Sequence, residues 1–186
     1  MSGAAVQAGE RSLPRLSKRR FHGRAINAVG ETLRRQLTVP EIYLEPRIPG
    51  GPVVDVLAVD RGGSGDLHGV LVTEGLTLNT PAQRRSLLGL LKKLPFHYKY
   101  VAIPDFAADL QSDSRFAEAV ELFDESGIGR IGLLSVNKAL FNATAPLNAA
   151  MVVQVIAPER FKVSSTVLAP LERFLLKAKP DISVRI

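Results

Sequence analysis

Gly51-Pro-Val-Val-Asp-Val-Leu-Ala-Val-Asp60 is an apolar run of strand type with one carboxylate, Asp55, in its middle. Val and Leu fit a pleated, half-buried surface, and an ionised Asp does not. An isolated buried carboxylate is costly or becomes neutral, so Asp55 needs a cation, a set of donors or open water. Alternation along a strand leaves two readings open. Asp55 points to the solvent side of an edge strand, or it stands in a site.

The neighbours extend the pattern. Upstream, Ile26, Val29, Leu33 and Leu37 recur at helical spacing and predict a helix over Ser17 to Leu37. Arg20, Arg24 and Arg35 fall on its opposite side, and Glu31 stands one turn before Arg35, as an exposed helix ion pair would. Those arginines form either a solvated face or a phosphate-facing stripe. Thr38-Val-Pro40 stops the helix. Glu41 to Ile48 reads as a strand that Pro46 limits to an edge or a bulge. With Val53 to Val59 and Leu67 to Thr73, joined by short Gly-rich turns, it makes an antiparallel meander.

Downstream, Thr80-Pro81 opens a helix to about Lys93: Thr caps free amides, and Pro is tolerated in the first turn. Leu87, Leu88, Leu90 and Leu91 supply its buried side, while Arg84, Arg85, Lys92 and Lys93 decorate the rest. Tyr98 to Ile103 is a strand, Ser114 to Glu125 a helix ended by Gly127, and Ile131 to Val136 a strand. Residues 137–148 are ambiguous, and Ala150 to Ile156 suits a strand. A last helix is expected from Pro170 to about Lys177, and a short strand from Ile182 to Ile186. This order implies a mixed α/β sheet with helices on its faces. Residues 1–13 read as a flexible tail and 14–186 as a single domain.

Composition narrows the functions. The 186 residues carry 24 Lys or Arg against 18 Asp or Glu, a net charge of +6 with pI about 9.9. Such a balance favours anionic partners, nucleic acid first. The absence of cysteine excludes disulfides, thiolate metal sites and cysteine nucleophiles, and fits a cytoplasmic location. The small residues of Met1 to Gly9 lack the apolar core of a signal peptide, and no run is long enough for a membrane helix.

The element order and three local echoes resemble the PD-(D/E)XK nuclease superfamily, the restriction-endonuclease-like fold. The echoes are Ile42-Tyr-Leu-Glu-Pro-Arg-Ile48 followed by Val53-Val-Asp-Val-Leu57, then Leu67-His-Gly-Val-Leu-Val-Thr73, then Lys99-Tyr-Val-Ala-Ile-Pro104 with Arg130-Ile-Gly-Leu-Leu-Ser-Val136. They cover Arg20 to Val136. The resemblance implies metal-assisted phosphodiester hydrolysis. An Asp on one strand and an acid on the next hold Mg²⁺, a Lys two positions on serves the attacking water, and a helix Glu often completes the site. Asp55 falls at the family's Asp, and Glu31 is the candidate helix acid. The third strand departs from the pattern, with Leu71 where the acid belongs and Thr73 where the Lys belongs. Glu74 lies just beyond and is the substitute acid, so Asp55 and Glu74 are the expected metal ligands. Lys92 or Lys93 would replace the missing Lys.

Other constellations are weaker. His22, His68 and His97 are scattered, and His68, near Asp66, reads as a solvent-side strand histidine. Gly62-Gly-Ser-Gly65 lacks the Lys-Ser/Thr of a phosphate loop. Phe21, Tyr43, Tyr98 and Tyr100 are candidates for base stacking but suit a core. The leading expectation is a nucleic-acid-binding protein, duplex DNA favoured, with a decayed or non-standard metal site. Asp55, Glu74 and Glu31 would be its catalytic remnant, and Arg20, Arg24, Arg84 and Arg85 its phosphate contacts. An active Mg²⁺-dependent DNA endonuclease is the alternative. A structural or subunit-interface protein, as homo-oligomer or beside a partner chain, is the rival class. A membrane role is not expected.

Overall fold

The computed structural model describes residues 18–63, 65–73, 80–104, 130–137 and 152–183. Its elements are α1 (Lys18–Gln36), β1 (Pro40–Leu44), β2 (Val56–Asp60), β3 (Leu67–Val72), α2 (Pro81–Lys93), β4 (Tyr98–Pro104), β5 (Gly132–Val136), β6 (Val152–Ile156), α3 (Ser165–Leu175) and the two-residue β7 (Ile182–Ser183). They build one mixed sheet in the order β6-β5-β4-β3-β2-β1-β7. The meander β1-β2-β3 is antiparallel, β3, β4 and β5 run parallel, and β6 and β7 pair antiparallel at the two edges. The α/β class and the meander are as the sequence led us to expect.

Strand alternation divides the interior into two apolar layers. Val56 and Ala58 of β2 face α1, joining Ile26, Val29 and Leu33 from the helical stripe with Val70, Tyr100 and Leu134. Leu57 and Val59 face the other way, into a layer with Leu87 and Leu91 of α2, Phe96, Val101, Leu133 and Leu171 of α3. Central strands are therefore covered on both sides, which explains their near-continuous apolar sequences. Helix α1 lies tightly on β1: a methyl at Gly30 would stand 2.9 Å from the Leu44 side chain.

Helix α2 begins as read. The Thr80 hydroxyl accepts the Gln83 N–H, and the Gln83 side chain accepts the Thr80 N–H, a reciprocal capping box. Its buried side is narrower than four leucines, since Leu87 and Leu91 are buried while Leu90 is exposed.

Several boundaries differ for local reasons. Strand β1 ends at Leu44 rather than Ile48, because Glu45 turns to φ +46 and Pro46 follows. Strand β2 begins at Val56, one residue after Asp55, and it lies inside the sheet. The edge-strand reading of Asp55 is therefore wrong. Helix α3 starts at Ser165, and Pro170 sits within it rather than opening it. The ring forfeits a backbone bond to Thr166, whose exposed position leaves that carbonyl open to water. The expected tail 1–13, the helix Ser114 to Glu125 and the ambiguous stretch 138–148 lie outside the described residues. No helix among the described residues is long and apolar enough to cross a membrane.

Candidate functional site

Asp55 sits where β2 leaves the loop 45–55, beside the C-terminal end of β3. Its carbonyl accepts the Glu45 N–H (2.7 Å), and its own N–H donates to the Val70 carbonyl (3.1 Å). Its Oδ2 accepts the Val72 N–H at 2.7 Å. The carboxylate thus takes the place of a backbone acceptor where the ladder slips. Its Oδ1 stands 3.6 Å from His22 Nε2 of α1. Burial pushes the Asp55 carboxyl above the ordinary aspartate value. The Val72 N–H and His22 pull it back, and Glu45 pushes it further up.

Asp55 grips β3 on both sides of one residue, Leu71, through Val70 and Val72. Leu71 is therefore the third-strand residue facing Asp55, and its side chain packs into the apolar layer beneath α2 and α3. Thr73 is buried, with its N–H on the Ala102 carbonyl at 2.9 Å. A hard cation wants several carboxylate or carbonyl oxygens, and the Leu71 side chain offers none. Among the described residues no group of three or more His, Asp or Glu is placed to hold a metal ion. Among the described residues the carboxylates at this site are Asp55 and Glu45. Glu74, the other expected ligand, lies outside the described residues.

The helix residue that meets Asp55 is His22, not Glu31. Glu31 lies nine residues further along α1, about 13 Å at 1.5 Å per residue. It is occupied by Arg34, whose Nε donates to its Oε2 at 2.9 Å, so the expected partner Arg35 is replaced by Arg34. Arg20 and Arg85 are exposed on α1 and α2, and Arg24 is half-buried. Arg84 lies in α2, but its side chain is outside the description. Lys93 is exposed at the C-terminal end of α2.

Two depressions flank the loop 45–55. One, of about 390 Å³, is lined by Glu45, Arg47, Val54 and Asp55 among others. The second, of about 540 Å³, is lined by Pro52, Val53, Leu71, Leu90, Lys93 and Val167 among others and is largely apolar. Glu45 and Arg47 escaped the sequence reading because nothing in Glu-Pro-Arg announces a left-handed glutamate beside Asp55. Such a backbone costs on the order of 1 kcal/mol and concentrates at functional sites.

The far end of β3 holds a second acid–histidine pair. Buried Asp66 takes a two-pronged bond from Arg160, with Nη2 at 2.8 Å and Nε at 3.1 Å from Oδ1. His97 Nδ1 lies 3.6 Å from the same oxygen but accepts the Leu67 N–H at 2.9 Å. That bond needs a free lone pair on Nδ1, so the ring is neutral, and burial lowers its pKa. Next to it, His68 is buried rather than solvent-facing. Its ring stacks on Tyr98 at 4.6 Å, and burial drives its pKa down to about 4. Phe21, Tyr43 and Tyr100 are core residues, and Tyr98 is half-buried.

No protein-family model matches this sequence, and no curated protein matches it at a significant level. Among solved structures the chain is similar to a protein of unknown function from Silicibacter pomeroyi. The two are 13% identical with a TM-score of 0.47, over 83% of this chain and 84% of that one.

Proposed function

We propose that this chain binds the phosphate backbone of nucleic acid through a restriction-endonuclease-like fold whose metal position has decayed. One observation carries the reading: α1 and α2, on opposite faces of the sheet, together hold ten Lys or Arg and a single acid, Glu31. The remainder of the chain has more acids than bases, so the positive charge belongs to these two helices. Concentrated Lys and Arg on exposed helix surface attract polyphosphate and release its counterions. Duplex DNA is favoured over single strands because, among the described residues, the aromatic rings that could stack on bases are buried or half-buried. Loss of cleavage is supported by Leu71, an apolar side chain where a second carboxylate would be needed.

The test is fluorescence anisotropy of a labelled duplex titrated with the full chain across a salt series. The expected result is binding in the micromolar range near 50 mM salt, falling linearly in log–log form as salt rises. No binding at low salt ends the proposal. Plasmid nicking with Mg²⁺ or Mn²⁺ is expected to be absent. Nicking that disappears in Asp55→Ala would instead establish an active endonuclease.

A subunit-interface role is the second reading, favoured by Val53, Leu90 and Val167 standing 86%, 56% and 49% exposed around one cavity. It predicts a salt-insensitive oligomer in sedimentation with no affinity for DNA.

A further inference from the structure

Arg47, Arg173 and Lys177 converge on one open basin of about 420 Å³, floored by Pro49, Pro170, Phe174 and Ala178. They come from distant parts of the chain. Arg47 follows β1, whereas Arg173 stands in the last turn of α3 and Lys177 two residues past its end. Among the described residues no acidic side chain lines the basin.

Four arginines elsewhere are ion-paired, and the basin cations differ from them. Arg34, Arg61, Arg130 and Arg160 each have a carboxylate oxygen between 2.8 and 3.7 Å away. Among the described residues, none of the three basin cations has a carboxylate in ion-pair range. Arg173 and Lys177 offset the negative end of the α3 dipole, but Arg47 belongs to another element and that explanation does not reach it. Three like charges around one concavity repel one another unless an anion enters.

The basin is also firm. Leu171 is fully buried beneath α3, and the Phe174 ring meets Tyr43 edge-on at 5.5 Å. Arg173 Nε donates to the Ala169 carbonyl at 3.2 Å, which steadies the guanidinium while its terminal nitrogens stay available. Arg47 and Pro49 line both this basin and the Asp55 depression, so the two adjoin.

We infer that the Arg47–Arg173–Lys177 basin is a phosphate-binding subsite that takes the nucleic-acid backbone as it runs past the Asp55 depression. The inference rests on the nucleic-acid reading and gives it a path: the duplex crosses loop 45–55 and the end of α3, on the face of the sheet that carries α2. A guanidinium fork and an ammonium around one concavity suit the oxygens of a phosphodiester.

The test compares the full chain with two double variants in the same duplex titration. Arg173→Ala/Lys177→Ala removes two basin cations. Arg61→Ala/Arg130→Ala removes equal charge from two ion-paired sites outside the basin. Circular dichroism checks that both stay folded. The basin variant is expected to bind at least about fivefold more weakly, with a salt slope shallower by about 1.8, roughly 0.9 per lost phosphate contact. The control pair is expected to match the unaltered chain. Binding by the unaltered chain with an unchanged basin variant overturns this inference and leaves the nucleic-acid reading standing. Equal weakening in both variants also overturns it, because net charge alone would then account for the effect. Phosphatidylserine-vesicle binding lost in the basin variant, with duplex binding intact, assigns the basin to a lipid headgroup instead. An unaltered chain that ignores DNA removes both proposals together.

Discussion

The two ends of β3 each present an aspartate with a histidine nitrogen 3.6 Å from it, and they are built for different ends. At Asp66 the acid is closed in by a two-pronged arginine, and the histidine is committed through Nδ1 to a backbone N–H. At Asp55 one oxygen is used to continue the strand ladder, while the other faces His22 at the rim of an open depression. The comparison teaches that an acid–histidine distance says little by itself. What separates a clasp from a site is how many of the polar atoms already have partners.

The comparison can be broken first by acid. His68, beside the Asp66 end, is neutral in the fold with its pKa lowered to about 4 from 6.5. The unfolded chain takes up that proton as pH falls below 6.5, so the folded state loses stability down to about pH 4. Over that window the loss approaches about 3 kcal/mol, at 1.36 kcal/mol per unit. His97, also lowered, adds in the same direction. Urea melts at pH 7 and pH 4.5 measure the slope, and His68→Asn is expected to flatten it. A melt insensitive to pH across this range would mean that the Asp66 end is not the closed structure described.

The next effect lies midway between the ends. A methyl at Gly69 would stand 2.0 Å from the Phe96 ring, which is fully buried. Gly69→Ala is therefore expected to destabilise by about 1–3 kcal/mol through overpacking, read as a lower urea midpoint.

Swapping partner removals sharpens the contrast. Arg160→Ala strips the buried Asp66 of its cation and is expected to lower the melting temperature. His22→Ala leaves the Asp55–Val72 bond in place and is expected to stay within about 0.5 kcal/mol. Equal losses in the two variants would erase the distinction between clasp and site.

The smallest expected change has the opposite sign. Asp55 has a raised pKa because burial disfavours its charge, so between the ordinary aspartate value and the raised one stability falls as pH rises, and at neutral pH the ionised form is a burden. Asp55→Asn keeps an acceptor for the Val72 N–H and removes that charge. Scanning calorimetry at pH 7 is expected to show a rise of about 2–4 °C, the size usual when a functional residue is traded for stability. A fall would make Asp55 a structural residue.

Much of this architecture was legible because it rests on local chemistry. The stripe Ile26, Val29, Leu33 and the Thr80-Pro81 cap declare their helices by period and by hydrogen bonding. The meander followed from apolar runs separated by Gly-rich turns. What escaped was decided at a distance. His22 meets Asp55 only because α1 lies across the meander, and its spacing in the sequence carries no sign of that. His68 was read as solvent-facing because β3 was treated as half-covered, yet both faces of that strand are packed. Pro170 looked like a helix start because its local preference is real. The chain began the helix five residues earlier, where Ser164 precedes the first turn. Arg47, Arg173 and Lys177 are ordinary surface cations in sequence, and only the fold gathers them.

Strand β6 has a consequence for handling the protein. Val152-Val-Gln-Val-Ile156 carries no charge and no proline, and it closes the sheet with no described strand on its outer side. Val153 and Gln154 stand exposed there. Where nothing covers it, such a rim is a template for docking the same rim of a second molecule, and concentrated samples then self-associate through it. Gln154→Lys would place a gatekeeper charge in the middle of that rim and should keep light scattering flat during concentration.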